Sequence, residues 1–223
     1  MVVHTAVGLQ EAFMEYSLEK VASIGCVAFG ADMYGAGRAL WERDEIKSAG
    51  ESLRANRSRM VRRALSAYET MRSLPEVDAR RAASIGFCFG GIAVLDLARS
   101  GTAAPSLCAT FSVHGILDSP DLSEAYGGSS GAVTGRVVVF HGEDDPFISA
   151  EQLTDFERNM KMRGADWEMV RFSGTRHAFT RPEKTLDVDA AAGLQFNEAA
   201  CLQAWKTIRD ELVTLRRSES GAQ

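Results

Sequence analysis

The sequence predicts an α/β fold: a mostly parallel sheet with helices on both faces. Three observations predict it. Short apolar runs of strand length alternate with longer segments of helical periodicity. The runs are short and largely apolar, as expected of strands in a parallel sheet covered on both faces. Most runs end in a polar or glycine-containing loop before the next helix, where such sheets carry their chemistry.

In chain order, Val-Val-His at 2–4 reads as a short strand, and 9–24 as the first helix. CVAFGADMYG, 26–35, is an apolar run that ends in Asp and Gly. Residues 51–73 are helical. AASIGF at 82–87 is a strand that leads into a helix at 91–100. LCATFSVHG at 107–115, RVVVFHG at 136–142 and WEMVRFSG at 167–174 complete the strands, with helices at 149–163 and 190–216. In the last helix Trp205, Ile208, Leu212 and Leu215 share one face. Gly- and Ser-rich 126–135 reads as a flexible connection. The expected organisation is a single domain over 1–216 with a frayed tail at 217–223.

A chain of 223 residues, 45% hydrophobic, suits one α/β domain. The net charge of −5 argues against nucleic acid as the main partner. No apolar run reaches membrane-spanning length, and no secretion signal is read at the start, so a cytoplasmic protein is expected. The four cysteines, 26, 88, 108 and 201, are then reduced thiols. Without a CxxC or a Cys/His cluster, no metal is expected; without a fitting dinucleotide fingerprint, no cofactor. RANRSRMVRRA, 54–64, carries five arginines. It reads as a solvated helix face, with local attraction of an anionic substrate as the alternative.

IGFCFGG, 85–91, sets Cys88 between a strand and a helix with glycine two places to either side. A nucleophile on so sharp a turn needs neighbours without Cβ atoms. The helix N-terminus favours a thiolate, and the Phe89 N–H points at a developing oxyanion. The bland alternative is a glycine-lined helix start with an inert buried cysteine.

A thiol nucleophile needs a base, and the base an orienting carboxylate. Elbow enzymes order them nucleophile, acid, histidine. Of the four histidines, His177 lies in a polar loop after the last strand, where the base belongs. His4, His114 and His141 lie in or beside apolar runs and read as structural. The loop after the preceding strand offers Glu143, Asp144 and Asp145 as the acid.

Together with VVHTAVGL, GCVAFGADMYG, FSVHGIL, VVVFHGEDDPFI and RHAFTRP, the elbow resembles the dienelactone hydrolase family, carboxymethylenebutenolidase-like α/β-hydrolases. The pieces occur in family order across nearly the whole chain. The resemblance implies an α/β-hydrolase-type sheet, here without the family's N-terminal strand pair. It assigns the triad to Cys88, Asp145 and His177, and the oxyanion hole to the N–H groups of Phe89 and Ala6. Arg181 would bind a substrate carboxylate, and Phe147 would line the site. A second carboxylate-binding arginine has Arg54, Arg57 and Arg59 as candidates. Thr5 stands where the family has a glutamate thought to gate the thiol.

The expected function is hydrolysis of a small-molecule lactone or carboxylic ester through a thioester on Cys88, by a monomer or homodimer. The alternatives are a degenerate, non-catalytic homologue that holds a small ligand, and a redox-sensing thiol. Tyr34, Trp41, Phe147 and Phe179 are candidate pocket walls.

Overall fold

The structure, a computed structural model, describes residues 1–103, 105–119, 133 and 135–217. Its centre is β3, Ala82–Phe87, whose side chains are almost all buried. On one side β3 pairs with β1, Val2–Val3, and β1 with β2, Gly30–Ala31. On the other it pairs with β4, Leu107–Val113, followed by β5, Arg136–Gly142, and β6, Asp166–Phe172. All five pairings are parallel, and the order is β2-β1-β3-β4-β5-β6. The central strands read as continuous apolar runs because helices cover both faces.

Strand alternation divides the core. Val137 and Val139 of β5 face a layer with Ala64 and Tyr68 of α3, Arg57–Arg72, Ile92 and Leu95 of α4, Phe89–Ser100, and Phe156 of α5, Ala150–Met162. Val138 and Phe140 face the opposite layer. There Phe13 of α1, Ala12–Ser23, and Trp205 of α7, Glu198–Arg217, both pack against Phe87 of β3, in one layer with Ile208 and Leu212. Helix α6, Asp187–Ala191, lies on the chain between the His177 loop and α7. The capping box of Ser149 and Gln152 starts α5 immediately after the Asp145 loop.

Several boundaries differ from the sequence expectation. The strand read over 26–35 is paired only at Gly30–Ala31, at the sheet edge, where a long exposed strand would be a liability. The helix read over 51–73 is two helices, α2, Arg43–Arg54, and α3. Asn56 breaks it: its side chain accepts the Arg59 N–H at 2.9 Å and caps α3. The helix read over 190–216 begins at Glu198, because Gly193 takes φ +82° and the chain turns past His177. Of the connection at 126–135 only Val133 and Gly135 are described, and 218–223 also lie outside the described residues. Among the described residues no helix is long and apolar enough to cross a membrane.

A cavity of about 220 Å³ lies at the starts of β1 and β3, lined by Met1, Cys26, Arg81, Ala82 and Leu215 among others. That is the end of the sheet opposite Cys88.

Candidate active site

Cys88 caps α4 with φ 54° and ψ −115°, a conformation that costs an L-residue about 1–3 kcal/mol. The surroundings hold it there. Its N–H donates to the Val113 carbonyl of β4 at 3.1 Å, and its carbonyl accepts from Gly91 at 3.0 Å. The turn is so tight that a Cβ on Gly86 would lie 2.0 Å from the Gly90 carbonyl oxygen. A Cβ on Gly90 would lie 2.4 Å from the Val3 carbonyl oxygen of β1, so each of the two flanking glycines read in the sequence has its own steric reason.

The turn leaves the sulfur half-buried at the helix N-terminus. Burial would raise the thiol's pKa. The His177 cation, a hydrogen bond from its ring, and the N–H groups of Phe89 and Ala6 outweigh burial and hold it below its ordinary value. The two amides expected to bind an oxyanion therefore converge on the Cys88 sulfur.

His177 follows β6 and is 3% exposed. Its Nδ1 lies 2.7 Å from Asp145 Oδ2. Burial disfavours its charge, but the Cys88 thiolate and the Asp145 carboxylate raise its pKa to about 10. Each charge thus favours the other: the imidazolium of His177 draws the Cys88 thiol toward thiolate, and the thiolate holds the proton on His177. Asp145 is buried, whereas Glu143 and Asp144 are exposed, so only one acid of the turn faces inward. Asp145 Oδ1 accepts the Phe147 N–H at 2.9 Å. The acid and histidine loops are in backbone contact: the Asp144 N–H donates to the Thr175 carbonyl at 3.0 Å, and a Cβ on Gly142 would lie 2.3 Å from that oxygen.

Ala6 is positioned by His4. The Met33 N–H donates to His4 Nε2 at 3.0 Å, so the ring's proton is on Nδ1, which meets the Thr5 carbonyl at 2.5 Å. Burial lowers the pKa of His4, which keeps this neutral tautomer. The Tyr34 hydroxyl donates to the Ala6 carbonyl at 2.9 Å and stacks on Phe89 with ring centroids 5.8 Å apart. Phe147 is 47% exposed and meets the His177 ring edge-on at 4.9 Å. His114 is buried behind His177, with Nε2 2.9 Å from Thr180 Oγ1, and burial pushes its pKa well down. Phe179 is fully buried in the core instead of lining an opening, and Trp41 is exposed.

Arg181, expected to meet a substrate carboxylate, is engaged from several sides by the protein. Nη2 donates to Glu11 Oε2 at 2.9 Å and Nε to Glu183 Oε1 at 2.6 Å. Nη1 lies 3.4 Å from Thr5 Oγ1, and the guanidinium covers the Phe13 ring. Glu11 escaped the sequence reading. The available signal was an acid directly before the apolar run of α1, where exposed acids are common, so it carried little information. Three of the five arginines at 54–63 are also engaged: Arg54 pairs with Asp118, Arg57 with buried Asp96, and Arg63 with the Met33 carbonyl. Among the described residues no group of His, Cys, Asp and Glu could hold a metal ion.

Strained elbow, buried acid and imidazolium at the carboxyl ends of a parallel sheet define the α/β-hydrolase class. The family model for the dienelactone hydrolase family matches residues 1–214, and the chain belongs to that family. A dienelactone hydrolase-like promiscuous phosphotriesterase from metagenomic libraries superposes with a TM-score of 0.85 at 28% identity, over 96% of this chain and 84% of that one. A structure named m3DLH gives 0.85 at 32% identity, over 96% and 85%. An uncharacterized protein of Caenorhabditis elegans is 28% identical over 143 residues, 63% of this chain and 84% of its own length. The protein is a hydrolase acting on ester bonds.

Proposed function

We propose that the protein hydrolyses a small-molecule carboxylic ester or lactone through a thioester on Cys88. The observation that carries this reading is the lowered thiol of Cys88 beside an imidazolium whose Nδ1 is fixed by Asp145 at 2.7 Å.

The Cys88 thiolate attacks the carbonyl carbon. A C–S bond forms, and the π electrons move to oxygen. The N–H groups of Phe89 and Ala6 hold that oxyanion, each worth about 3 kcal/mol in comparable sites. On collapse the C–O bond breaks, and His177 gives its proton to the leaving alkoxide. Neutral His177 then takes a proton from water, which attacks the thioester and expels the thiolate. Asp145 keeps the ring oriented and stabilises its charged form. Phe147 packs against the imidazole and forms part of the site wall. In a lactone the alkoxide stays tethered, so water must arrive before the ring recloses.

Incubation with a p-nitrophenyl ester tests the reading. A burst of nitrophenolate matched to protein concentration is expected from the native chain and none from Cys88→Ala. Turnover that survives in Cys88→Ala would rule out the thioester route.

A further inference from the structure

We propose that Glu11 makes this site selective for uncharged substrates, by satisfying from within the arginine that would otherwise receive an anion. The inference rests on the hydrolase reading above and names the substrate class of the same site.

Glu11 is 3% exposed, and its carboxylate is spent on the protein. One oxygen accepts from Arg181 Nη2 at 2.9 Å, and the other accepts the Thr5 hydroxyl. Burial pushes its pKa up, and Arg181 and Thr5 pull against that. Arg181 has a second acid, Glu183, at 2.6 Å. One guanidinium thus faces two carboxylates, and the group as a whole is not positive.

This group borders the reaction centre. Thr5 adjoins Ala6, and its hydroxyl accepts the Val7 N–H at 3.2 Å. Charge on Glu11 and on Cys88 both act on Tyr34, whose hydroxyl holds the Ala6 carbonyl. An arriving carboxylate would have to displace Glu11 and leave it buried without a cation, an outcome strongly disfavoured. It would also approach the Cys88 thiolate with no surplus positive charge to attract it. Arg38 is exposed on the neighbouring turn, where solvent and salt screen it. The exposed Phe147, 4.9 Å from the His177 ring, offers apolar surface to an uncharged acyl or alcohol group. Arg181 is therefore a brace for Glu11 and the Thr5–Val7 loop, in place of the carboxylate receptor that the family resemblance implied.

The test compares p-nitrophenyl pentanoate with the mono-p-nitrophenyl ester of glutaric acid, acyl groups of similar length that differ in one carboxylate. The native protein should show kcat/KM at least tenfold higher for the neutral ester, after correction for their hydroxide-catalysed rates. Glu11→Gln keeps the shape and removes the charge, and should move the ratio toward the anionic ester by about tenfold or more. Arg181→Gln should not weaken the anionic ester selectively. Equal or better use of the anionic ester by the native protein, lost selectively in Arg181→Gln, would overturn the inference and restore Arg181 as the receptor. These two measurements decide the matter even if Glu11→Gln fails to fold. A missing nitrophenolate burst with both esters would instead sink the hydrolase reading, and the inference with it. A burst with the wrong ratio sinks only the inference.

Discussion

Asp145 Oδ2 lies 2.7 Å from His177 Nδ1, while Oδ1 of the same carboxylate accepts the Phe147 N–H at 2.9 Å. Both oxygens are thus committed, and the buried imidazole has one orientation, with its other nitrogen toward Cys88. Replacing Asp145 with Asn removes the negative charge and offers the ring the wrong hydrogen-bond partner. Ester turnover should fall by about 10²–10⁴-fold while the fold survives. A kcat within threefold of the native value, measured with a neutral ester, would show that Asp145 is a structural acid only.

The Cys88–His177 pair sets a pH window. Cys88 is held below its ordinary 9.0, so its contribution to stability is complete above that value and is lost as pH falls through the lowered one. His177 is raised from 6.5 to about 10, so its contribution is complete below 6.5 and is lost as pH rises through about 10. Between those limits the ion pair is present. Alkylation of Cys88 by iodoacetamide should have its midpoint below the ordinary thiol value of 9.0. In Cys88→Ala the main charge that raises His177 is gone, and the NMR titration of that ring should move down. An alkylation midpoint at or above 9 would contradict the ion pair.

The elbow's steric demand is testable apart from chemistry. With Ala at position 86, the new methyl would meet the Gly90 carbonyl oxygen at 2.0 Å, and backbone cannot yield as a side-chain tip can. Gly86→Ala should lose about 4 kcal/mol or more in urea unfolding, or fail to accumulate as folded protein. A loss under about 1 kcal/mol would mean the turn is looser than described.

Behind the site, Asp96 is fully buried between Arg57, whose Nη2 is 2.7 Å from Oδ1, and Arg99, whose Nη1 is 3.2 Å from the same oxygen. Both arginines also reach the Asp118 carbonyl, which ties α3 and α4 to the chain leaving β4. Asp96→Ala would leave this buried cationic pair without its carboxylate and should cost about 3–5 kcal/mol in chemical denaturation. If the change proves neutral, the cluster is better solvated than its burial implies.

The Arg57–Asp96 pair shows why some of the molecule was hidden from the sequence. Five arginines in eleven residues look like a solvated face on any helical projection. Nothing local says that Asp96, on another helix, removes one of them from solvent. The break at Asn56 was missed for the opposite reason: helical periodicity runs through it, and a single capping side chain decides the boundary. By contrast, glycine at 86 was legible because its constraint, the Gly90 carbonyl, is local and steric, whereas Gly90 itself is required by the Val3 carbonyl of β1, far away in the chain. Arg181 lies between these cases. Its place after His177 was readable, but its engagement by Glu11 was not.

What the sequence determined by itself was the fold class, the elbow at Cys88, and the order of thiol, acid and imidazole in the loops after β3, β5 and β6. Strand periodicity and backbone sterics act over a few residues, so they are written where they act. The resemblance had already picked Asp145 from the 143–145 turn, but only the tertiary structure decided that this acid alone is buried and that Glu11 and Glu183 occupy Arg181. Those outcomes depend on distances through space. Glu11 and Arg181 are 170 positions apart in the chain, and burial, which makes their charges compel each other, exists only once the sheet has brought its loops together.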